Sequence, residues 1–330
     1  ARSDAGTYLI RSGGTLYVYT DHHYVNNHSS LTVEAGGLFD ASKNTNLDKA
    51  LYIGSVYDSG ADGKAIVSNR GTFVCHTRLS MGAGAKAESE FWMMDGSLTF
   101  APRPENQQCY LAVSHAGGGG GGASGGVSRF YMQGGTVASM NLEIGISDYD
   151  AISSFSANGL VEMSGGTWNN SSEVVIGGFR SKAPLSSANT QNVDKLKGEL
   201  TQSGGAFHSV GNVYVANGPS TGTLAISGGE FTVANAVGDA TLYVGSSYSN
   251  GVFTAMQPGK GTLTLSGGNL TVDRFVANNG ENYSMVEFNG GTLTMMTDTE
   301  VANGAVFSVG DGTQAATLRI GEEGTHSFAD

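Results

Sequence analysis

Apolar residues along this chain alternate with polar ones in short bursts of four or five, and glycine doublets punctuate the bursts. The unit reads apolar-x-apolar-x-Gly-Gly-x-apolar-x-apolar. It is sharpest in GTLTLSGGNLTV (261–272), GTLAISGGEFTV (222–233) and VEFNGGTLTM (286–295). Fainter copies are RSGGTLYV (11–18), EAGGLFDA (34–41), YMQGGTVAS (131–139), EMSGGTWNN (162–170) and TQSGGAFHS (201–209). Period-two alternation places one face of a strand inward and the other outward. Glycine between two such strands reaches positive φ at little steric cost, so the doublet predicts a sharp bend. A second motif follows each doublet: LYIG (51–54), LAVS (111–114), LEIG (142–145), VVIG (174–177), VYVA (213–216), LYVG (242–245) and FSVG (307–310). Each unit therefore predicts three short strands, the third ending in a small residue.

Aligning the second glycine of each doublet, or its equivalent, gives Gly14, Gly37, Gly71, Gly96, Gly135, Gly166, Gly205, Gly229, Gly268 and Gly291, with Gly324 as an eleventh. Short and long spacings alternate between them. Three strands with their bends need about 20–25 residues, which matches the short spacing and closes one triangular turn at a strand separation of about 4.8 Å. The pattern predicts an all-β parallel β-helix of three-strand coils, about eleven in number, running through residues 1–330 as a single solenoid. In the long spacings the extra residues fall mostly between a third strand and the next first strand. Insertions are therefore expected on alternate coils at one edge, which is where solenoids often bind.

The composition agrees. Glycine, at 51 of 330 residues, is about twice its average usage but lacks the every-third-residue period of collagen. A net charge of −12 and the lack of any Lys/Arg cluster disfavour nucleic acid and anionic membranes as partners. No apolar run reaches the length of a membrane-spanning helix, and the start, ARSDAGTYLI, is expected to be a mature or trimmed one.

The GTLTLSGG-x-LTV unit, repeated with L-x-V-G segments, resembles the autotransporter-associated β-strand repeats of Gram-negative passenger proteins. The resemblance covers essentially the whole chain and implies a right-handed coil and export to the outer cell surface or the medium. It also implies that the chain is a passenger fragment or processed product.

Candidate chemistry is sparse. The run GGGGGG (117–122) lacks the Lys-Ser/Thr and the helix that a phosphate loop requires, so it reads as an inserted loop. In DHHYVNNH, Asp21, His22, His23 and His28 are close in sequence. Adjacent strand residues point to opposite faces, however, and a surface loop is expected instead of a metal site. Asp62, Asp150 and Asp239 stand at unequal offsets from their doublets, so they do not predict stacked acids for calcium or for acid–base catalysis. No catalytic residue, metal or cofactor is expected. Cys75 and Cys109 fall near one corner in successive coils, a placement compatible with a disulfide or with two thiols.

The candidate contact residues are aromatic: Tyr57, Tyr149, Phe155, Phe179, Tyr248 and Phe253, all in the long insertions. Such rings would suit surface glycans or a host protein, and equally they would pack onto the rod. The expected function is a non-enzymatic structural or adhesive surface protein. The alternatives are a filament subunit that partners itself by end-to-end coil stacking and, by fold analogy alone, a polysaccharide lyase or glycoside hydrolase.

Overall fold

The structure, a computed structural model, describes residues 6–19, 23–26, 28–42, 50–54, 63–82, 87–101, 109–116, 127–147, 156–179, 195–246 and 258–329. Its strands pair in parallel, each with its counterpart one coil on, as in Thr7–Ile10 with Ser30–Val33 and Glu230–Val233 with its equivalent in Lys260–Val272. First and second strands form one 19-stranded sheet, because in the ninth and tenth coils they run on without a break as Lys260–Val272 and Ser284–Met295. Third strands form an 11-stranded sheet, from His23–Val25 to His326–Phe328. The described residues form a parallel β-helix of eleven coils, the last represented by its second and third strands alone.

Alternation generates the core. In Lys260–Val272, Leu263, Leu265, Leu270 and Val272 are buried, and the residues between them are polar. Register stacks like on like, so rings run up the interior. Phe39 lies 4.3 Å from Phe73, Phe91 4.9 Å from Phe130, and Phe207 4.6 Å from Phe231, centroid to centroid. Trp168 bridges Phe130 and Phe207 at 5.0 and 5.8 Å. Burying each such side chain contributes about 1.5–3 kcal/mol. Polar groups admitted to this column satisfy one another: Ser139 Oγ donates to Asn170 Oδ1 (2.9 Å), Trp168 Nε1 donates to Ser139 Oγ (2.9 Å), and Asn170 Nδ2 donates to the carbonyl of Ser172 (2.7 Å).

The corners behave as the doublets predict, with local differences. From the fifth to the tenth coil the left-handed residue is Gly135, Gly166, Gly205, Gly229, Gly268 and Gly291 in turn. At Gly205 a Cβ would also lie 2.6 Å from the carbonyl oxygen of Gly166, so the corner glycines touch backbone to backbone along the rod. Gly14 and Gly37 depart from the expectation. There the bend spans four residues, 11–14 and 34–37, and the left-handed residue is the first glycine, Gly13 or Gly36.

Gly324 is not the eleventh corner. Register places Ala316 opposite Gly291, while Gly324 precedes the last third strand. The segment FSVG (307–310) likewise is no third strand, since Thr299–Val301 fills that place in the tenth coil. It follows that strand, and Gly310 N–H donates to the carbonyl of Phe288 (2.7 Å). Val306 and Val309 there are exposed.

Candidate functional site

The corner between third and first strands is built differently from the glycine-doublet corner. Third strands reach it through a left-handed residue: Gly54, Gly82, Ser114, Gly145, Gly177, Ala216 and Gly245 in successive coils. These include the small residues that close the LYIG, LAVS, LEIG, VVIG, VYVA and LYVG motifs. Ser114 and Ala216 hold a conformation that costs a non-glycine residue about 1–2 kcal/mol. Opposite them the first strands present a column of glycines in register, Gly159, Gly198, Gly222 and Gly261. A Cβ on Gly198 would lie 2.2 Å from the Gly177 nitrogen and 2.3 Å from the Ile144 oxygen. The two sheets thus meet backbone against backbone, a rigid footing for the chain that leaves the corner.

What leaves it varies. Only residues 218–220 join Asn217 to Thr221, whereas residues 180–195 join Phe179 to Leu196 and 247–259 join Ser246 to Lys260. Long connections do not alternate strictly: the fourth, fifth and sixth coils carry them in succession. The reason is that spacing between doublets sums two corners. The second and fourth coils also have extra residues between second and third strands, 41–50 and 101–109.

Of the aromatic candidates, Tyr57, Tyr149, Phe155, Tyr248 and Phe253 lie outside the described residues. Phe179 does not join an exposed row. It ends the strand Val174–Phe179 in register with Ser147 and is fully buried. Among the described residues no three His, Cys, Asp or Glu side chains are placed to hold a metal ion. His28 stands exposed with a left-handed backbone, while Asp21 and His22 fall outside the described residues. Cys75 and Cys109 are both buried thiols with no disulfide between them. Burial pushes the Cys75 thiol far up, and the neighbouring Cys109 adds to the effect.

The sequence reading missed a cluster on the outer face of the first strands. Trp92 and Tyr131 stack at 4.0 Å between the fourth and fifth coils. Glu90 accepts a hydrogen bond from Trp92 Nε1 (3.0 Å) and pairs with Lys64, and Arg129 approaches Glu88 at 3.8 Å. Burial raises the Tyr131 hydroxyl pKa, Glu90 and Glu162 add to the rise, and Arg129 and Lys64 oppose it. The available signal was that EFWMMDG and RFYMQGG put an aromatic residue at the same outward offset from the corner glycine. Its charges are spent on one another, so the cluster bolts the third, fourth and fifth coils together. On the sheet of third strands, Tyr214 and Tyr243 make a similar outer pair, 5.1 Å apart and nearly parallel.

A cavity of about 340 Å³ opens beside Met285, Val286, Val301, Asn303 and Phe307. It lies where the first-strand column stops: pairing of Ser284–Met295 with the eleventh coil begins only at Gly291.

Fold and corner geometry define a β-solenoid that carries connections of unequal length on one rigid edge. No family model, curated protein or solved structure matches the chain.

Proposed function

We propose that the chain is a non-enzymatic surface or secreted β-helix whose long connections at the third-to-first corner make contact with glycans or a partner protein. One observation carries this reading. The same corner is closed by three residues in the seventh coil and by far longer segments in its neighbours, so the extra length is not needed to complete a coil. Length beyond what closes the turn is available for recognition, and loops on a rigid scaffold commonly serve it. The −12 charge directs that recognition away from polyanions.

The seventh coil also supplies the test. Asn217 is in register with Ser246, and Thr221 with Lys260, so residues 247–259 can be replaced by the tripeptide of 218–220. The shortened protein should keep its circular dichroism and melting temperature while losing binding to cells, immobilised glycans or proteins. Binding at full strength after each long connection has been shortened in turn, or release of sugar fragments from a polysaccharide panel, would overturn the reading.

A further inference from the structure

Arg78 opens the third strand of the third coil, and no carboxylate among the described residues pairs with it. In a chain of net charge −12 an arginine without an acid is unexpected. Its guanidinium carbon lies over the Tyr110 ring of the next coil, 5.3 Å from the centroid, which fixes the position of the charge. A guanidinium donates hydrogen bonds from its edge, however, and there Nε is buried with no hydrogen-bond partner. Leu79 and Met81 point into the core, so Ser80 between them points outward. Ser80 is nonetheless only 1% exposed, and its Oγ also has no partner. Buried donors left unmade cost stability. Two of them on one face of a four-residue strand call for an acceptor that the described residues do not supply.

Register shapes the ground beside these donors. Ser80 stands opposite Tyr52 in the coil before and Ala112 in the coil after, and Ala112 stands opposite Glu143. Two small side chains, one coil or about 4.8 Å apart, leave a dip in the outer face between Tyr52 and Glu143. Arg78 and Tyr110, also in register, run along one side of it. Arg78 keeps part of its surface in solvent, and a ligand reaches the dip from that side.

We propose that Arg78 and Ser80 bind a carboxylate brought by a molecule from outside the chain. Shape selects the group, since Nε and the adjacent Nη form a planar two-donor edge that a carboxylate matches oxygen for nitrogen. Ser80 Oγ supplies a third donor. Glu143, 4% exposed, closes the far end with a carboxylate of its own. It opposes a dianion such as phosphate and favours a single acid group flanked by O–H or N–H donors. A sugar acid and the C-terminus of a peptide both have that pattern. The inference stands apart from the display reading, since it uses the outer face of the third strands and not the connections at the corner.

The test is calorimetric titration of the full chain with D-glucuronate and with N-acetylglycine, each beside its neutral counterpart, glucose or N-acetylglycinamide. At least one acid should bind saturably where its counterpart does not, and the tighter acid identifies the source as sugar or peptide. Arg78→Gln should keep the circular dichroism of the parent and weaken binding about tenfold or more, as loss of a charge-assisted hydrogen bond does. Arg78→Lys should recover only part of the affinity, because it keeps the charge and lacks the planar edge. Ser80→Ala should weaken binding while the melting temperature holds or rises, because it removes a buried hydroxyl that bonds nothing. Several outcomes would each overturn the proposal: no saturable binding of either acid, equal binding of the neutral counterparts, tighter binding of inorganic phosphate, or full affinity in Arg78→Gln. A lower melting temperature with unchanged affinity in Ser80→Ala would likewise remove Ser80 from the site. Shortening the connection at 247–259 should leave acid binding unchanged, so failure of the display reading and failure of this one are told apart.

Discussion

Glycines in this fold are held by two separable causes, and substituting alanine at three of them distinguishes those causes. Gly280 has φ +83° with nothing within 4 Å of an added Cβ, so Gly280→Ala meets only backbone strain, about 1–2 kcal/mol. Gly198 is outside the left-handed region, but its Cβ would sit 2.2 Å from the nitrogen of Gly177, 2.3 Å from the oxygen of Ile144 and 2.7 Å from the carbonyl carbon of Ile176. All three are backbone atoms of the opposite sheet and have no rotamer by which to withdraw. Forcing them apart is overpacking without relief, at or beyond the upper end of about 1–3 kcal/mol. Gly205→Ala meets both penalties, with φ +75° and the Gly166 oxygen at 2.6 Å. The expected order of loss is therefore Gly280 below Gly198, and Gly198 below Gly205. Coils in a solenoid contact only their neighbours, and a global midpoint can blur a local change, so the assay is amide hydrogen exchange. Gly198→Ala should accelerate exchange in 157–163, 174–179 and 196–202 by about a hundredfold or more, which is the exchange equivalent of about 3 kcal/mol. Gly280→Ala should leave those segments unchanged. If Gly198→Ala is as mild as Gly280→Ala, the sheets do not touch at that corner, and the long connections have no rigid footing there.

Three further outcomes follow from buried groups. Burial pushes the Tyr214 pKa up to about 12, partly offset by its hydrogen bond from Asn212, so a late step in ultraviolet titration should vanish in Tyr214→Phe. The folded state holds this proton more tightly than the unfolded chain, whose tyrosines titrate near 10. The contribution is therefore intact below about pH 10 and is lost as pH rises toward 12, and denaturation midpoints should fall across that window. Cys75 and Cys109 should resist a thiol reagent in the native protein and both react once it is unfolded; failure to react under denaturing conditions would mean that they are bonded to each other. Asn170→Ala removes an acceptor from Ser139 Oγ and a donor to the carbonyls of Ser172 and Glu173, all in or beside the core, and should cost about 1–3 kcal/mol in thermal denaturation.

How far the fold could be read from sequence depends on which atoms enforce each feature. Alternation and doublets are enforced by side-chain burial and by φ at single residues, so the three-strand coil, its core positions and the doublet corners from Gly135 to Gly291 were all legible. The left-handed residues at Gly13 and Gly36 were not, because a four-residue bend and a three-residue bend present the same Gly-Gly to a reader of sequence. Gly324 and FSVG misled for a related reason: an alternating run followed by glycine marks a strand only where a neighbouring coil accepts its backbone. At 307–310 the structure shows one such bond, from Gly310 to Phe288.

Other features depend on register between coils. The glycines 159, 198, 222 and 261 fall in four separate strands with no doublet to flag them, and their shared column emerges only when the strands are stacked. The same holds for Trp92 over Tyr131, and for the burial of Phe179, which a count of insertion residues places in a loop. In this solenoid, then, local pattern sets the coil, whereas contacts along the rod set which corner is rigid. On the proposed reading, recognition at the long connections depends on the second of these. A change at Gly198 should therefore disturb binding through the connection at 180–195 even though it touches no ligand, while an equal loss of stability placed in the aromatic column, such as Phe231→Leu, should leave that binding intact.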